Sequence, residues 1–201
     1  MAESKIIKPI ELLAIGGSAG SFKILLDIIP KLKTPINFII LIVIHRKSGV
    51  SSNISDVFKN KTKIKVLECE DKEPMVVGNI YFAPADYHLL IEKDGLFSLD
   101  YSEKVNYSRP SIDVTFVNAA DLYGNKLAAL LLSGANSDGA EGLFYIHQKN
   151  GTTIVQSPDS SEIDTMPKEA LKLFEPDYIA NVAEIITIIN NFNLEKNSTH
   201  F

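Results

Sequence analysis

Glu11-Leu12-Leu13-Ala14-Ile15-Gly16-Gly17-Ser18-Ala19-Gly20-Ser21-Phe22 is the stretch whose reading decides the fold. Glu11 to Ile15 predicts the first strand, apolar from Leu12 onward. Gly16 to Ser21 follows at once as a glycine-rich turn, and from Phe22 to Ile29 apolar residues recur at helical spacing. A strand passing through such a turn into a helix opens an α/β unit, and the same pattern continues along the chain. Phe38 to Ile44 is apolar, as expected of a strand covered on both faces, and it ends directly in His45. Residues 112–123 return to helical spacing, and Lys126 to Leu132 is a further apolar strand running into Ser133-Gly-Ala-Asn-Ser-Asp-Gly139. Gly142 to Lys149 then reads as a helix, Thr152 to Gln156 as a short strand, and Lys168 to Phe174 and Val182 to Phe192 as closing helices. From Ile64 to Leu99 the helical period fades into short runs, Ile80-Tyr-Phe-Ala83 and His88-Leu-Leu-Ile-Glu92, and the Asp94-Gly95 pair predicts a hairpin. The expected fold is α/β, a three-layer sandwich with a doubly wound, mainly parallel sheet and an antiparallel hairpin.

Composition bounds the rest. With 201 residues, 45% hydrophobic and 22% charged, the chain fits one domain over residues 10–192, with an N-terminal extension, 1–9, and a frayed tail, 193–201. The longest apolar run, Ile36 to Ile44, is interrupted by Asn37 and far shorter than the roughly 20 residues of a membrane-spanning helix, so no membrane insertion is expected. Met1 to Pro9 lacks the apolar core of a secretory signal, which predicts a cytoplasmic protein. A net charge of −5 without a basic run argues against nucleic acid as a partner. The lone Cys69 reads as a small buried thiol; it has no partner for a disulfide or a thiolate metal site, and neither metal nor cofactor is expected.

In open α/β sheets the ligand crevice lies outside the carboxyl ends of the strands. Three strand-ending segments carry Ser18, His45 and Asp138, which together supply a nucleophile, a base and an orienting acid. Gly16-Gly17-Ser18-Ala19-Gly20 fits G-x-S-x-G, a turn that exposes a serine hydroxyl; by itself it fits a phosphate-cradling loop equally well. The dinucleotide spacing and the Gly-Lys-Ser/Thr of a P-loop are both absent. His45 reads either as a buried structural histidine or as a base facing the crevice, where an ordinary imidazole, titrating near 6.5, suits proton transfer. His88, His147 and His200 are assigned structural or solvent roles. Asp138 reads as a helix N-cap or as the orienting acid, two roles that compete for its lone pairs. The triad predicts that one His45 nitrogen meets the Ser18 hydroxyl while the other meets Asp138.

With these residues in hand, the sequence resembles the catalytic domain of the CheB-type protein-glutamate methylesterases from Ile10 to Phe192. The similarity is carried in order by Ile15-Gly-Gly-Ser-Ala-Gly20, His45, Gly78-Asn-Ile-Tyr-Phe-Ala-Pro84, His88-Leu-Leu90, Arg109-Pro-Ser-Ile-Asp113, Leu131-Leu-Ser-Gly-Ala-Asn-Ser-Asp-Gly-Ala140 and Met166-Pro167. It implies hydrolysis of glutamate γ-methyl esters on methylated chemoreceptors or similar signalling proteins, with release of methanol, and deamidation of receptor glutamines as a further activity. Ser18, His45 and Asp138 are the implied triad. Gly17, Ala19, Gly20, Arg46 and Ala135 line the site, with backbone N–H groups after Ser18 as oxyanion donors. The family usually has threonine at Ala19, methionine at Ala135 and Gln-His-Met at Ile44-His45-Arg46. Those departures support an alternative, a catalytically weakened CheB-like domain that binds a receptor or signalling partner. Many members carry a receiver domain before the catalytic one; only nine residues precede the first strand here, so the expectation is either a stand-alone enzyme or a module whose partner is a separate regulator.

Overall fold

The computed structural model describes residues 9–46, 54–58 and 60–193. The proposed extension up to residue 8, and the tail from 194 with His200, lie outside the described residues. In chain order the strands are β1 (Leu12–Gly17), β2 (Ile39–Ile44), β3 (Val66–Glu68), β4 (Ile80–Phe82), β5 (His88–Ile91), β6 (Phe97–Asp100), β7 (Leu127–Leu131), β8 (Thr152–Gln156) and β9 (Tyr178–Ala180). The helices are α1 (Ser21–Ile28), α2 (Ile54–Phe58), α3 (Ile112–Tyr123), α4 (Ala140–Gln148), α5 (Thr165–Leu173) and α6 (Val182–Phe192). Seven strands form one all-parallel sheet in the order β3-β4-β2-β1-β7-β8-β9, and β5 pairs antiparallel with β6 around Asp94-Gly95.

Apolar strands become a three-layer sandwich because alternate side chains leave opposite faces of the pleat. Leu13, Ile15, Ile40, Ile42 and Leu130 pack against Leu25 and Ile28 of α1 and Ile185 and Ile189 of α6. From the same strands Leu12, Ala14, Leu41 and Val43 pack the other way, onto Ile112 and Phe116 of α3, Leu143 of α4 and the hairpin's Leu89 and Phe97. Among the described residues, no helix is long and apolar enough to cross a membrane.

The chain order departs from the sheet order at one place that matters. From β1 the sheet grows through β2, β4 and β3 on one side and through β7, β8 and β9 on the other. The direction of winding therefore reverses at β1, and the connections leave a crevice at the carboxyl ends of the central strands. Two details of the sequence reading are corrected. β1 runs on through Gly16 and Gly17, which pair with Val43 and Ile44 of β2, so the tight turn begins only at Ser18. A Cβ on Gly17 would lie 2.3 Å from Ser21 Oγ, so the strand approaches the helix behind it at a distance only glycine permits. α5 begins at Thr165, ahead of the apolar spacing that marks it, because Pro167 is tolerated in a first turn whose N–H groups need no helical partner.

Candidate active site

The last register pair between β1 and β2 is Gly17 with Ile44, and the His45 N–H continues the ladder to the Gly17 carbonyl at 3.2 Å. The next residues, Ser18 and His45, therefore follow directly on the last register pair, at the carboxyl ends of neighbouring strands. Asp138 arrives from the loop after β7, on the other flank of β1. His45 Nε2 and Asp138 Oδ2 are 2.8 Å apart. A carboxylate only accepts, so the Nε2 proton points at Asp138 and Nδ1 carries the lone pair that faces away from it.

Asp138 is fully buried, and four donors surround it. Oδ2 accepts from His45 and from the Ile112 N–H at 2.8 Å; Oδ1 accepts from Ser111 Oγ at 2.8 Å and from the Asp113 N–H at 3.1 Å. Burial opposes ionisation of Asp138, but His45, the two amides and the Ser111 hydroxyl outweigh it and hold the carboxyl below the ordinary carboxylate value. This overturns the expected competition between capping and holding the imidazole. Asp138 does not cap its own helix α4, whose N-cap is Gly139; it caps α3 across the crevice with lone pairs that His45 does not need.

Ser18 is held by its backbone. Its N–H donates to the Ser133 carbonyl at 2.9 Å and to Ser21 Oγ at 3.1 Å, and the buried Ser21 hydroxyl donates onward to Ser133 O at 2.7 Å. That N–H is thus occupied, whereas the N–H groups of Ala19 and Gly20 have no acceptor among the described residues. Gly20, the N-cap of α1, has φ 83°, a left-handed conformation that aims these amides outward over the helix start. The Ser18 hydroxyl itself makes no hydrogen bond with any described residue, so of the two expected triad contacts the one to Asp138 is formed and the one between Ser18 and His45 is not.

The other predicted lining residues fall around this centre unequally. Gly17 is buried, Gly20 half-buried, and Ala19 and Ala135 are exposed on opposite loops of the rim. Arg46 Nη2 turns back to Glu68 Oε1 at 3.0 Å and the Ala83 carbonyl at 2.7 Å. Cys69 is buried elsewhere, its thiol pushed well up, first by burial and then by Glu73 and Glu68. His147 lies on α4 with its ring 5.0 Å from that of Phe174, outside the site.

Ser18, His45 and Asp138 follow strands that meet at a winding reversal, and sequence comparison says which family uses this arrangement. The CheB methylesterase family profile matches residues 13–189. The chain belongs to that family. A Leptospira interrogans protein named putative protein-glutamate methylesterase/protein-glutamine glutaminase is 40% identical over 189 residues, covering 92% of this chain and 98% of the relative. The Thermotoga maritima protein-glutamate methylesterase/protein-glutamine glutaminase is 31% identical over 84% of the chain, which spans 50% of that longer relative. The crystal structure of the Thermotoga maritima CheB methylesterase catalytic domain superposes with a TM-score of 0.86 at 30% identity, covering 92% of this chain and 99% of that one.

In this CheB-family domain, sequence reasoning missed the residues that hold the triad. Ser111 is the N-cap of α3, accepting from the Val114 N–H while its hydroxyl serves Asp138; Pro-Ser-Ile-Asp is a readable cap signal, but nothing in it points across to Asp138. His88, expected to be structural, is buried with both nitrogens used: Nδ1 accepts from the Ser111 N–H at 3.1 Å and Nε2 donates to the Glu103 carbonyl at 2.9 Å. It is neutral in this arrangement, and it fixes the serine that fixes Asp138. Asp113 lies behind them. Burial first, and then the neighbouring Asp138, push its carboxyl up to about 6, against the lowering effect of the Gly142 and Gly139 N–H groups.

Proposed function

We propose that Ser18, His45 and Asp138 carry out hydrolysis of glutamate γ-methyl esters on chemoreceptor-type proteins, the activity named for the relatives. The observation that carries the reading is the 2.8 Å pair of His45 Nε2 with a buried Asp138, set next to Ser18 by the strand register. Ser18 Oγ attacks the ester carbonyl and gives its proton to His45 Nδ1. The tetrahedral oxygen takes hydrogen bonds from the Ala19 and Gly20 N–H groups, the amides left without acceptors. The C–O bond to the methoxy group breaks as Nδ1–H protonates it, and methanol leaves. Water then attacks the acyl-enzyme and gives a proton to Nδ1; as the C–O bond to Ser18 breaks, Nδ1–H returns that proton to Ser18 Oγ, and the glutamic acid product leaves as its carboxylate, its proton going to solvent. Asp138 keeps the Nε2–H tautomer and offsets the imidazolium charge in both halves.

The alternative, a CheB-like domain that binds receptor without turning it over, draws on Ala19, Arg46 and Ala135. Incubation with methyl-labelled receptor separates the two. Wild-type protein is expected to release labelled methanol and Ser18→Ala is expected not to; equal release by both would place the nucleophile elsewhere.

A further inference from the structure

Beside His45 lies a cleft of about 330 Å³, lined by His45, Arg46, Lys104, Tyr107, Ser108 and Arg109, with Asp86 as its one carboxylate. Arg46 is paired with Glu68, which leaves Lys104 and Arg109 as the two further cations of the lining, in a chain of net charge −5. Lys104 and Arg109 come from one loop, five positions apart, and His45 and Arg46 from the end of β2. Arg109 is fixed in place without a carboxylate. Its Nη1 donates to the carbonyls of Tyr101 at 3.1 Å and Ser102 at 2.7 Å, and the guanidinium lies 3.8 Å over the Tyr101 ring. Its Nε is buried, and its Nη2 makes no hydrogen bond with any described residue, so Nη2 is the donor of the pinned guanidinium left for a ligand. Lys104 is exposed and makes no ion pair with any described residue. Nearby acids are otherwise engaged: Glu68 holds Arg46, and Asp100 senses the Arg109 charge from the hairpin while bonded to Ser102. Asn106 and Tyr107 both have positive φ, 49° and 63°, a conformation few non-glycine residues adopt, and it leaves the Tyr107 side chain 98% exposed.

We propose that this cleft is a carboxylate-binding subsite that recognises an acidic side chain next to the ester in the substrate polypeptide, with Arg109 and Lys104 as the recognising charges and Tyr107 as an apolar wall. The proposal rests on the ester-hydrolase reading, because it is His45 that places the cleft next to the reacting group. A pinned guanidinium donor suits one carboxylate, and little ordering entropy is lost when it binds. A polyanion is a poor fit, since beyond the cleft the net charge of −5 repels it.

Two synthetic peptides with one glutamyl methyl ester each, flanked by glutamates in one and glutamines in the other, test this. At low ionic strength kcat/KM, read by methanol release, is expected to favour the acidic peptide by about 5- to 10-fold, and the gap should close in about 0.5 M salt. Arg109 ties down its own loop, so Lys104 carries the mutational test. Lys104→Glu is expected to bring the preference to about one or below, whereas Lys31→Glu, the same charge change at the opposite end of the sheet, keeps it. Anisotropy of the labelled peptides on the Ser18→Ala protein reads the same preference as binding without chemistry. If neither peptide releases methanol but Ser18→Ala binds the acidic one more tightly, the hydrolase reading fails and the subsite stands. The subsite is overturned if the two peptides are treated alike in kcat/KM and in binding, or if Lys104→Glu and Lys31→Glu change the preference equally.

Discussion

At the scale of single residues, the site depends on side chains that never meet substrate. Replacing Ser18 or His45 by alanine should each lower turnover by on the order of 10⁶, and Asp138→Ala by about 10⁴, because members of a triad act as a unit and the acid only orients the base. The Ser18→Ala/His45→Ala double variant should be scarcely slower than either single; multiplying effects in the kinetics would show that the two act separately. His88 extends the chain of dependence one step back. His88→Leu leaves the buried Ser111 N–H without a partner, a loss of about 1–3 kcal/mol, and releases the Glu103 carbonyl of the exposed 101–110 loop. It should lower the unfolding midpoint and also lower kcat at temperatures where the variant is folded, since Ser111 no longer fixes Asp138; unchanged kcat in folded variant would confine His88 to stability. Ser18, His45 and Asp138 were legible because each ends a recognisable strand or opens a glycine-containing loop. Ser111, His88 and Ser133 were not, because their roles are contacts between segments distant in the chain.

The element scale shows why two acids share one buried place. Asp138, just before α4, accepts the first N–H groups of α3, while Asp113, in the first turn of α3, accepts the Gly139 and Gly142 N–H groups that open α4. Each helix is capped by the carboxylate that precedes or begins the other. The two positive helix ends suit negative charge, but both carboxylates cannot ionise freely so close together. Asp138 takes the charge and Asp113 is raised to about 6. An acid raised in the folded state binds more protons there than in the unfolded chain between about pH 4 and pH 6, so its contribution to stability falls as pH rises through that window and is level above it. Asp113→Asn keeps an oxygen for the two amides and removes the titration. Between pH 4 and pH 7 the variant should therefore gain on the wild type by on the order of 2 kcal/mol, read by urea denaturation at each pH; parallel pH curves for the two proteins would show that Asp113 is not raised. Helix α3, strand β8 and helix α6 begin and end where the apolar spacing predicts, helped at α6 by the Asn181 and Glu184 capping box. Strand β9 and helix α2 escaped the reading: at three and five residues neither is long enough to show a period.

Across the whole molecule the same alternation that builds the sheet ties its two cores together. Leu12 and Ala14 point to one face while Leu13 and Ile15 point to the other, and β2 and β7 divide their side chains in the same way. Neither core can open without pulling strands from its neighbour, so the layers form one cooperative unit rather than two. Ser18, His45 and Asp138 follow the three innermost strands, β1, β2 and β7, and Asp138 is anchored on α3, which packs on β1 and β7. Loop residues usually open at lower free energy than the core. Here Ser18 and His45 continue a parallel ladder, Asp138 is fully buried, and the Ser18 turn is pinned to Ser133 and Ser21, so the site should share the stability of the sheet. Catalytic activity, far-ultraviolet circular dichroism and tyrosine emission, the last usable because the chain has seven tyrosines and no tryptophan, are expected to lose signal at one urea midpoint. The 101–110 loop is the contrasting case: it is exposed over most of its length and held chiefly by Arg109 and His88. Hydrogen exchange should find its amides less protected than those of β1, while hydrolysis of a small neutral ester survives to the global midpoint. If that hydrolysis vanished at urea concentrations that leave the circular dichroism unchanged, the site would belong to a locally opening segment, and the strand register would not be what holds Ser18 beside His45.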